Sequence, residues 1–238
     1  MKTLVFDLFG DYGHFKKYYT TSSPLTFPFP PIPTIKGMIG AIAGFHREEY
    51  LDILSKDNCK ISVRIINPIN KISMGLNHIN TKDNVWIPKT TSSHQPYTQV
   101  KVEYLKNPYF RIYLYHEDDE VFNHIYKMIK EHKNCYILSM GISELLADFK
   151  FVDIKNFKEK NNKICEISSI VPLGLIKEQG IQFVNGRKYC KEIIPINMTK
   201  ERIVENYEEI LYEENGKTIY ANMKCFWEDE KGESIVFF

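Results

Sequence analysis

The chain has 238 residues, enough for one large domain or two small ones with a substantial core. Hydrophobic residues make up 43% of it and charged residues 26%, a balance that excludes a disordered or fibrous protein. The longest mostly apolar stretch, residues 38–45, is far shorter than the ~20 residues that cross a bilayer. Residues 1–9 form a short alternating segment rather than a secretion signal, so we expect a cytoplasmic protein with no membrane partner.

Basic and acidic residues are unevenly distributed along the chain. Residues 1–115 carry 14 Lys and Arg against 8 Asp and Glu, whereas residues 116–238 carry 17 against 22. No acidic residue occurs between Tyr12 and Arg47. Two interpretations stay open: a basic face that binds a polyanion, or a chance clustering of solvated side chains.

Alternating apolar residues predict three short β-strands in the first half of the chain, at residues 3–9, 61–65 and 110–115. Between the first two of them, residues 10–33 contain five prolines, which predict an ordered, extended loop. Residues 73–99 show no apolar period, and a run of that length inside a domain is usually functional or disordered.

Two helices are predicted, each from a capping residue followed by apolar residues at helical spacing. Thr34 is predicted to cap a helix over residues 34–44. Asp118 or Asp119 is predicted to cap the second, in which apolar residues recur from 121 to 129 and lysines follow the end. Beyond it we expect a strand over 136–140, a helical turn over 143–147 and an extended segment over 149–154.

The predicted order of elements is β-α-β-β-α-β, the arrangement of ferredoxin-like and RRM domains. Residues 156–163 are polar and lysine-rich and are predicted to mark a boundary, after which the segments are short, strand-like and separated by glycines. We therefore predict an α+β protein. It has an RRM/ferredoxin-like domain over residues 1–155, with a long insertion over about 73–99, and a smaller antiparallel β domain over 156–238.

Residues 12–23 combine hydroxyl, aromatic and cationic side chains without any acid, the chemistry that phosphate and base contacts need. The candidate RNA contacts of this region are Lys16, Lys17, Tyr18, Tyr19 and Lys36. The last of them lies in the first turn of the next predicted helix, where free backbone N–H groups bind anions. The alternative is a structural loop with solvated lysines.

Arg111, Tyr113 and Tyr115 form a basic and aromatic row on one face of a predicted strand, as in RNA-binding sheets. We favour packing under the second domain for this row, because aromatic residues more often fill cores. Arg111 is kept as a candidate RNA contact.

No cysteine or histidine pattern predicts a metal site, since the five cysteines are widely spaced and the seven histidines occur singly. We predict neither a metal nor another cofactor. Metal-free RNA cleavage stays open, in which a base activates the 2′-hydroxyl and a cation stabilises the phosphorane. Its candidate residues are His14, the nearby Tyr18, and His116.

Three segments resemble the fifth CRISPR-associated (Cas) protein family. They are GDYGHFKKYYTTSSPLTFPFPPIPTIKGMIGAIAG at 10–44, EYLKNPYFRIYL at 103–114 and MGISELLA at 140–147. They occur in the order that the family shows and touch most of residues 1–150, and the first segment is the most specific.

The resemblance implies an RRM-like domain with a smaller β domain, in a subunit of a type I Cascade surveillance complex from a type I-B-like system. Such a subunit caps the 5′ handle of the crRNA and contacts the backbone subunit and the large subunit. In that family a long excursion between the second and third strands forms a thumb between handle nucleotides, and residues 73–99 take that place here. The candidate handle contacts are Lys16, Lys17, Tyr18, Tyr19, Lys36, Trp86 and Arg111.

One branch of the family cleaves precursor crRNA with a Tyr, a Lys and a His, and in it the Lys and His are adjacent after the third strand. Here Tyr115 stands where that branch has the lysine, directly before His116. We therefore expect a non-catalytic crRNA-binding subunit. The alternative is a metal-independent endoribonuclease that uses His14, Tyr18 and His116.

Overall fold

Strands dominate the computed structural model, which describes residues 1–81, 87, 88, 90 and 95–238. The elements in chain order are β1 (Lys2–Phe9), β2 (Tyr12–Gly13), α1 (Ile32–Ala43), α2 (Tyr50–Ile53), β3 (Cys59–Ile65), β4 (Lys71–Ile79), β5 (Tyr97–Lys106), β6 (Tyr109–His116), α3 (Asp119–Lys130), β7 (Asp148–Ile167), β8 (Val171–Pro172), β9 (Ile176–Gln182), β10 (Tyr189–Met198), β11 (Val204–Glu213), β12 (Ile219–Asp229) and β13 (Ser234–Ile235). Within the described ranges, no helix has the length and apolar composition needed to cross a membrane.

Both long helices pack on four strands of a seven-stranded sheet, whose order is β3-β6-β1-β7-β13-β12-β9. β1 lies in the middle, antiparallel to β6 on one side and to β7 on the other, and β3 pairs with β6. Leu4, Phe6 and Leu8 of β1 are fully buried on the helical face, because a strand places alternate residues on one side. The elements that share this core follow one another as β1, α1, β3, β6, α3 and β7. The predicted α+β class is confirmed, with strands in the majority.

α1 begins earlier than the sequence predicts. The carbonyl of Pro31 accepts hydrogen bonds from the N–H groups of Thr34 (2.9 Å) and Ile35 (3.1 Å), so Thr34 lies inside the first turn. The prediction that Thr34 caps the helix was wrong, because proline in the first turn starts the helix without needing a side-chain cap. The helix ends at Gly44, whose left-handed φ of +80° is a conformation that glycine adopts without steric cost.

α3 begins where the sequence predicts. The Asp118 carboxylate accepts hydrogen bonds from the N–H groups of Glu120 (2.7 Å) and Val121 (3.3 Å), which confirms it as the N-cap. Phe122, Ile125 and Ile129 are buried against the sheet, as the helical spacing predicts.

Residues 136–147 form neither the predicted strand nor the predicted helical turn. Ser139 and Leu146 pair through an isolated bridge. Just before it, the N–H group of Tyr136 donates to the carbonyl of Ala41 in α1 (3.1 Å). Tyr136 thus satisfies a carbonyl at the end of α1, while Met140 and Ala147 donate to Leu145 and Leu138 within the segment instead of joining a sheet.

β4 and β5 form an antiparallel hairpin in the region that shows no apolar period in the sequence. Ile72, Met74 and Leu76 of β4 alternate with exposed residues on one half-buried face, whereas the outer residues 77–79 and 97–99 are exposed and show no stripe. The prediction of an unstructured run was therefore wrong for residues 73–79 and 97–99. Trp86, a candidate handle contact, lies outside the described residues.

β7 continues through the predicted domain boundary at residues 155 and 156. Its first part, up to Asn156, pairs with β1, and its second part, from Phe157, pairs with β12. The polar run over 156–163 is therefore a mostly exposed strand rather than a linker. The remaining strands β10, β11 and β8 form a separate sheet that packs Ile194 and Ile210 against the core of α1.

The second face of the central sheet is covered by the end of the chain. Tyr113 is fully buried there beside Phe157 and Phe237, which confirms packing rather than an open RNA-binding face at this position. Phe238 exchanges two backbone hydrogen bonds with Ile61 of β3, at 2.9 and 3.2 Å. The C-terminal residues thus close the sheet edge as well as its face.

A network of ion pairs and hydrogen bonds holds the C-terminal segment on this face of the sheet. Glu233 accepts hydrogen bonds from Arg64 (2.7 Å), from the Tyr113 hydroxyl (2.6 Å) and from Lys155 (2.6 Å). Lys155 also donates to Asp229 at 2.8 Å. Burial opposes ionisation of Glu233, but the bonds from Lys155 and Tyr113 outweigh it, so the pKa of this carboxyl lies below its usual range.

Replacing Glu233→Gln is expected to lower the free energy of unfolding by about 2 kcal/mol, because it removes the counter-charge of Arg64 and one of the two carboxylates on Lys155. Urea denaturation at neutral pH measures the change. Glu230→Gln, an exposed position in the same turn, is the control and should have no effect. An equal effect of the two substitutions would contradict the role of the network.

The loss of stability caused by Glu233→Gln is also expected to depend on pH. Because the pKa of Glu233 in the folded protein lies below its ordinary value of 4.5, its contribution is complete above pH 4.5 and is lost as the pH falls through the folded value. The stability difference between wild type and Glu233→Gln should therefore be largest above pH 4.5 and shrink below it. A difference that grows on acidification would refute this assignment.

Candidate nucleic-acid interface

The acid-free loop after β2 is held in a defined hairpin-like shape. The N–H of Lys17 donates to the carbonyl of Leu25 (2.9 Å), and the N–H of Phe27 donates to the carbonyl of Phe15 (2.8 Å). These bonds leave residues 18–25 as the tip of the loop. Most tip residues are exposed, so an ordered loop presents its hydroxyl and aromatic groups to solvent.

The loop also docks on the base of the β4–β5 hairpin. Glu103 of β5 donates its N–H to the carbonyl of Pro24 (3.0 Å) and accepts the N–H of Thr26 on its carboxylate (3.1 Å). Lys71 of β4 bonds the carbonyl of Thr26 (2.9 Å) and the same carboxylate (3.1 Å). Loop and hairpin therefore form one continuous surface.

Three tyrosines cluster on this loop and on the neighbouring β11, and we call them the aromatic patch: Tyr18, Tyr19 and Tyr207. Tyr18 and Tyr19 are each 56% exposed and Tyr207 is 43% exposed. The ring of Tyr18 lies 5.1 Å from that of Tyr19 and 5.0 Å from that of Tyr207. Exposed aromatic rings in contact are a surface on which unpaired bases stack. Sequence reasoning missed Tyr207, because no local pattern connects it with the distant loop.

Lys17 does not face solvent as the sequence suggests. Its ammonium is paired with the carboxylate of Glu192 on β10 and lies over the rings of Tyr19 (5.7 Å) and Phe27 (5.6 Å). Burial lowers the pKa of Lys17, but the pairing with Glu192 outweighs it and the pKa is raised. Lys17 therefore anchors the loop to β10, whereas Lys16 next to it is exposed.

Arg111 is also used within the protein. Its guanidinium donates to both oxygens of the Asp7 carboxylate, at 2.8 and 3.1 Å, and the Tyr109 hydroxyl donates to one of them at 3.0 Å. This bidentate pair joins β6 to β1 on the covered face of the sheet. Lys36 is buried in α1, away from the loop tip. Of the predicted contacts, the structure brings Lys16, Tyr18 and Tyr19 together on the exposed loop.

The two candidate catalytic histidines are buried, and each forms a hydrogen bond to a backbone carbonyl inside the protein. His14 Nδ1 donates to the carbonyl of Glu103 at 2.7 Å. His116 Nε2 donates to the carbonyl of Ile53 at 2.9 Å, and its Nδ1 accepts the N–H of Asp118 at 3.0 Å. Both ring nitrogens of His116 are therefore occupied, so it has none left to act as a general base.

The histidines also lie at opposite ends of the sheet. His116 is the last residue of β6, while His14 follows β2, which pairs with the end of β5 directly before β6 begins. A strand of the length of β6 spans roughly 24 Å. The structure does not bring His14, Tyr18 and His116 into one site. In the described ranges, no cluster of three or more His, Cys, Asp or Glu side chains is arranged to hold a metal.

His14→Ala is expected to destabilise the protein by about 1–3 kcal/mol, because it leaves a buried carbonyl of Glu103 without its donor and opens a cavity beside Tyr104. Thermal and urea unfolding measure the loss. His78→Ala on the exposed surface of β4 is the control and should be neutral. Unchanged stability of the His14 variant would contradict a structural role.

Comparisons with known proteins agree with one another. Residues 3–152 match the family model described as CRISPR-associated protein (Cas_Cas5). A CRISPR protein from Archaeoglobus fulgidus has a similar fold in its crystal structure, with a TM-score of 0.59 and 16% identity over 100% of this chain and 98% of that one. A chain of a CRISPR RNA-guided surveillance complex is similar with a TM-score of 0.53 and 10% identity, over 93% of this chain and 92% of that one. A comparison with curated proteins finds no match to the chain. Because the family model covers more than half of the sequence, the protein belongs to this family of CRISPR-associated proteins.

Proposed function

We propose that this protein is a non-catalytic subunit of a type I CRISPR Cascade complex that binds the 5′ handle of the crRNA. The aromatic patch carries the proposal, because its rings are exposed and in contact and two of the three belong to the acid-free loop. Family membership supports a role in CRISPR defence, and the fold similarity to a chain of an RNA-guided surveillance complex supports a place in such an assembly.

The proposal includes a division of labour between two parts of the chain. The strand order β3-β6-β1-β7 with α1 and α3 on one face supports an RRM-like core over residues 1–155. Residues 156–238 add the smaller β part, which contributes Tyr207 to the patch and covers the second face of the sheet. RNA is then bound at the loop and hairpin rather than on the sheet face.

Handle binding would use stacking and charge together. Unpaired bases stack on Tyr18, Tyr19 and Tyr207, and the exposed Lys16 neutralises a neighbouring phosphate. Lys17 holds the loop on β10 through its ion pair with Glu192 and so positions Tyr18 and Tyr19. The β4–β5 hairpin, joined to the loop through Lys71 and Glu103, takes the place of the thumb between handle nucleotides. The backbone and large subunits of Cascade are the proposed protein partners.

The double substitution Tyr18→Ala and Tyr19→Ala is expected to weaken binding of the repeat-derived handle RNA by about 30-fold or more, since stacking contributes ~1–3 kcal/mol per base and two rings are removed. Fluorescence anisotropy with a labelled handle RNA, at fixed salt, measures the affinity. The matched control is Tyr136→Ala, because that ring is 52% exposed but lies away from the loop. Equal affinity losses in the two variants would argue against the patch.

The non-catalytic assignment has its own test. Cognate CRISPR repeat RNA incubated with the purified protein in EDTA should remain intact on a denaturing gel, because both ring nitrogens of His116 are occupied and His14 is buried away from it. A discrete cut upstream of the handle would make the protein the processing endoribonuclease and overturn this part of the proposal. In that event Tyr18→Phe, which keeps the stacking ring, separates a catalytic hydroxyl from a stacking role.

A further inference from the structure

A cavity of about 330 Å³ lies beside α1, on the face of the helix that carries Thr34, Gly37 and Ala41. These three residues recur at helical spacing and so lie on one side of α1. Tyr50 of α2, the segment 137–141 and the turn between β10 and β11 border the space. No residue of the aromatic patch lines it, so the cavity is separate from the proposed RNA contacts.

Backbone hydrogen bonds hold the segment 137–141 in place against its neighbours. Directly before it, the N–H group of Tyr136 donates to a carbonyl of α1 (3.1 Å), and within it the carbonyl of Met140 accepts the N–H group of His14 (2.9 Å). Gly141 has a φ of +103°, and a Cβ at this position would lie 2.0 Å from the carbonyl oxygen of His14. The segment therefore has one defined path, which glycine at this position permits.

The turn between β10 and β11 is fixed by its own hydrogen bonds. The N–H group of Thr199 donates to the carbonyl of Ile203 (2.9 Å), and the N–H group of Arg202 donates to the carbonyl of Thr199 (2.8 Å). Met198 and Arg202 line the cavity from this side. Because the walls are held before anything binds, a ligand does not have to order them, which lowers the entropic cost of binding.

Two large aliphatic side chains are exposed at this place. Ile137 lines the cavity and is 80% exposed, and Ile203, which directly follows Arg202, is 65% exposed. Single exposed apolar residues are common on protein surfaces, but these two lie at or next to a preformed cavity. Exposed apolar surface around such a cavity marks an interaction site.

Arg202 supplies the charge at this cavity. Among the described residues that line it, Arg202 alone is charged, and no carboxylate of the described residues lies within 4.0 Å of its guanidinium. The neighbouring Glu201 lines a different cavity and accepts a hydrogen bond from Thr199. A carboxylate that enters beside Arg202 therefore meets a cation without an opposing acid in the described lining.

We propose that this cavity receives an apolar side chain of a partner protein, and that a carboxylate of the same partner pairs with Arg202. The inference rests on the proposed function in one respect, that the chain acts in an assembly with other proteins. It gives the surface and the chemistry of one such protein contact, which the aromatic patch does not supply.

RNA fits this surface less well than protein does. Single strands bind where exposed aromatic rings stack on bases and several cations follow the phosphates. The exposed residues at this cavity are aliphatic, and its described lining contains one cation. An apolar side chain in a pocket, beside a complementary charge, is instead typical of the centre of a protein–protein interface.

The first experiment measures assembly by competition. Wild type and a variant, carrying different tags, are expressed together with the other protein subunits of the complex, and the ratio of the two chains in the purified complex gives their relative affinity. Arg202→Glu and Ile137→Ser should each be under-represented by about 10-fold or more, because one opposes two acids and the other removes apolar surface that the partner buries. Both side chains are exposed, so neither change disturbs the core.

The matched controls are Arg47→Glu and Ile164→Ser. They change an exposed arginine and an isoleucine that is 45% exposed, and neither residue lines the cavity. Both should be recovered at close to the wild-type level. Recovery of the cavity variants at the level of their controls would overturn the proposal.

The second experiment identifies the occupant with the photo-crosslinker p-benzoylphenylalanine in place of Ile137 in the assembled complex. Mass spectrometry should find a crosslinked peptide of another protein subunit. Replacing the acid of that subunit nearest to the crosslink by its amide should bring Arg202→Glu back toward equal recovery with wild type, because side chains in contact have non-additive effects. A crosslink to RNA, a yield no higher than with the same group at position 164, or an unchanged loss in Arg202→Glu would refute the contact.

RNA binding separates this inference from the proposed function. Arg202→Glu and Arg47→Glu change the net charge equally, so their affinities for the handle RNA should agree within about two-fold. A larger loss in Arg202→Glu would assign the cavity to RNA and overturn the inference, while the aromatic patch keeps its own test. If the Tyr18 and Tyr19 variant binds RNA normally, the patch fails and the competition result still decides the cavity.

Discussion

β7 pairs with β1 along its first part and with β12 along its second, so both halves of the protein share one continuous strand. The relative position of the two halves is therefore set by backbone hydrogen bonds rather than by a linker. The side-chain contacts between the two halves depend on this shared strand. The C-terminal cover over Tyr113 and the contact between Tyr18 and Tyr207 both form because β7 brings the end of the chain back over its beginning.

The excess of basic residues in the first half of the chain is used in two different ways. Lys17, Arg64 and Arg111 are held by carboxylates and stabilise the fold, while Lys16 stays exposed on the loop. Charge counting cannot separate these uses, since two of the three carboxylates, Glu192 and Glu233, belong to the acidic half of the chain. Lys36 belongs to neither group, because its stem is buried in α1 while none of the ion pairs of the described residues includes its ammonium.

Elements with one buried face were predictable, and elements without one were not. β1, β3, β6 and α3 bury an apolar stripe against the core, so their periodicity identifies them. The outer residues of β4 and β5 are exposed on both faces, and the segment 136–147 is held by hydrogen bonds to α1, to His14 and within itself. Their conformations depend on contacts between distant parts of the chain, which local patterns do not encode.

The sequence by itself determined the family, the α+β class and the position of an exposed, acid-free loop with Tyr18 and Tyr19. The family rests on the motifs at residues 10–44, 103–114 and 140–147, whereas the other two features rest on local composition and periodicity, which folding does not rearrange. Only the tertiary structure decided which side chains remain available to a ligand. It paired Lys17 and Arg111 with acids, buried His14 and His116 among backbone carbonyls, and added Tyr207 to the patch. The physical reason is that availability depends on what packs against a side chain, and those neighbours come from residues far away in the chain.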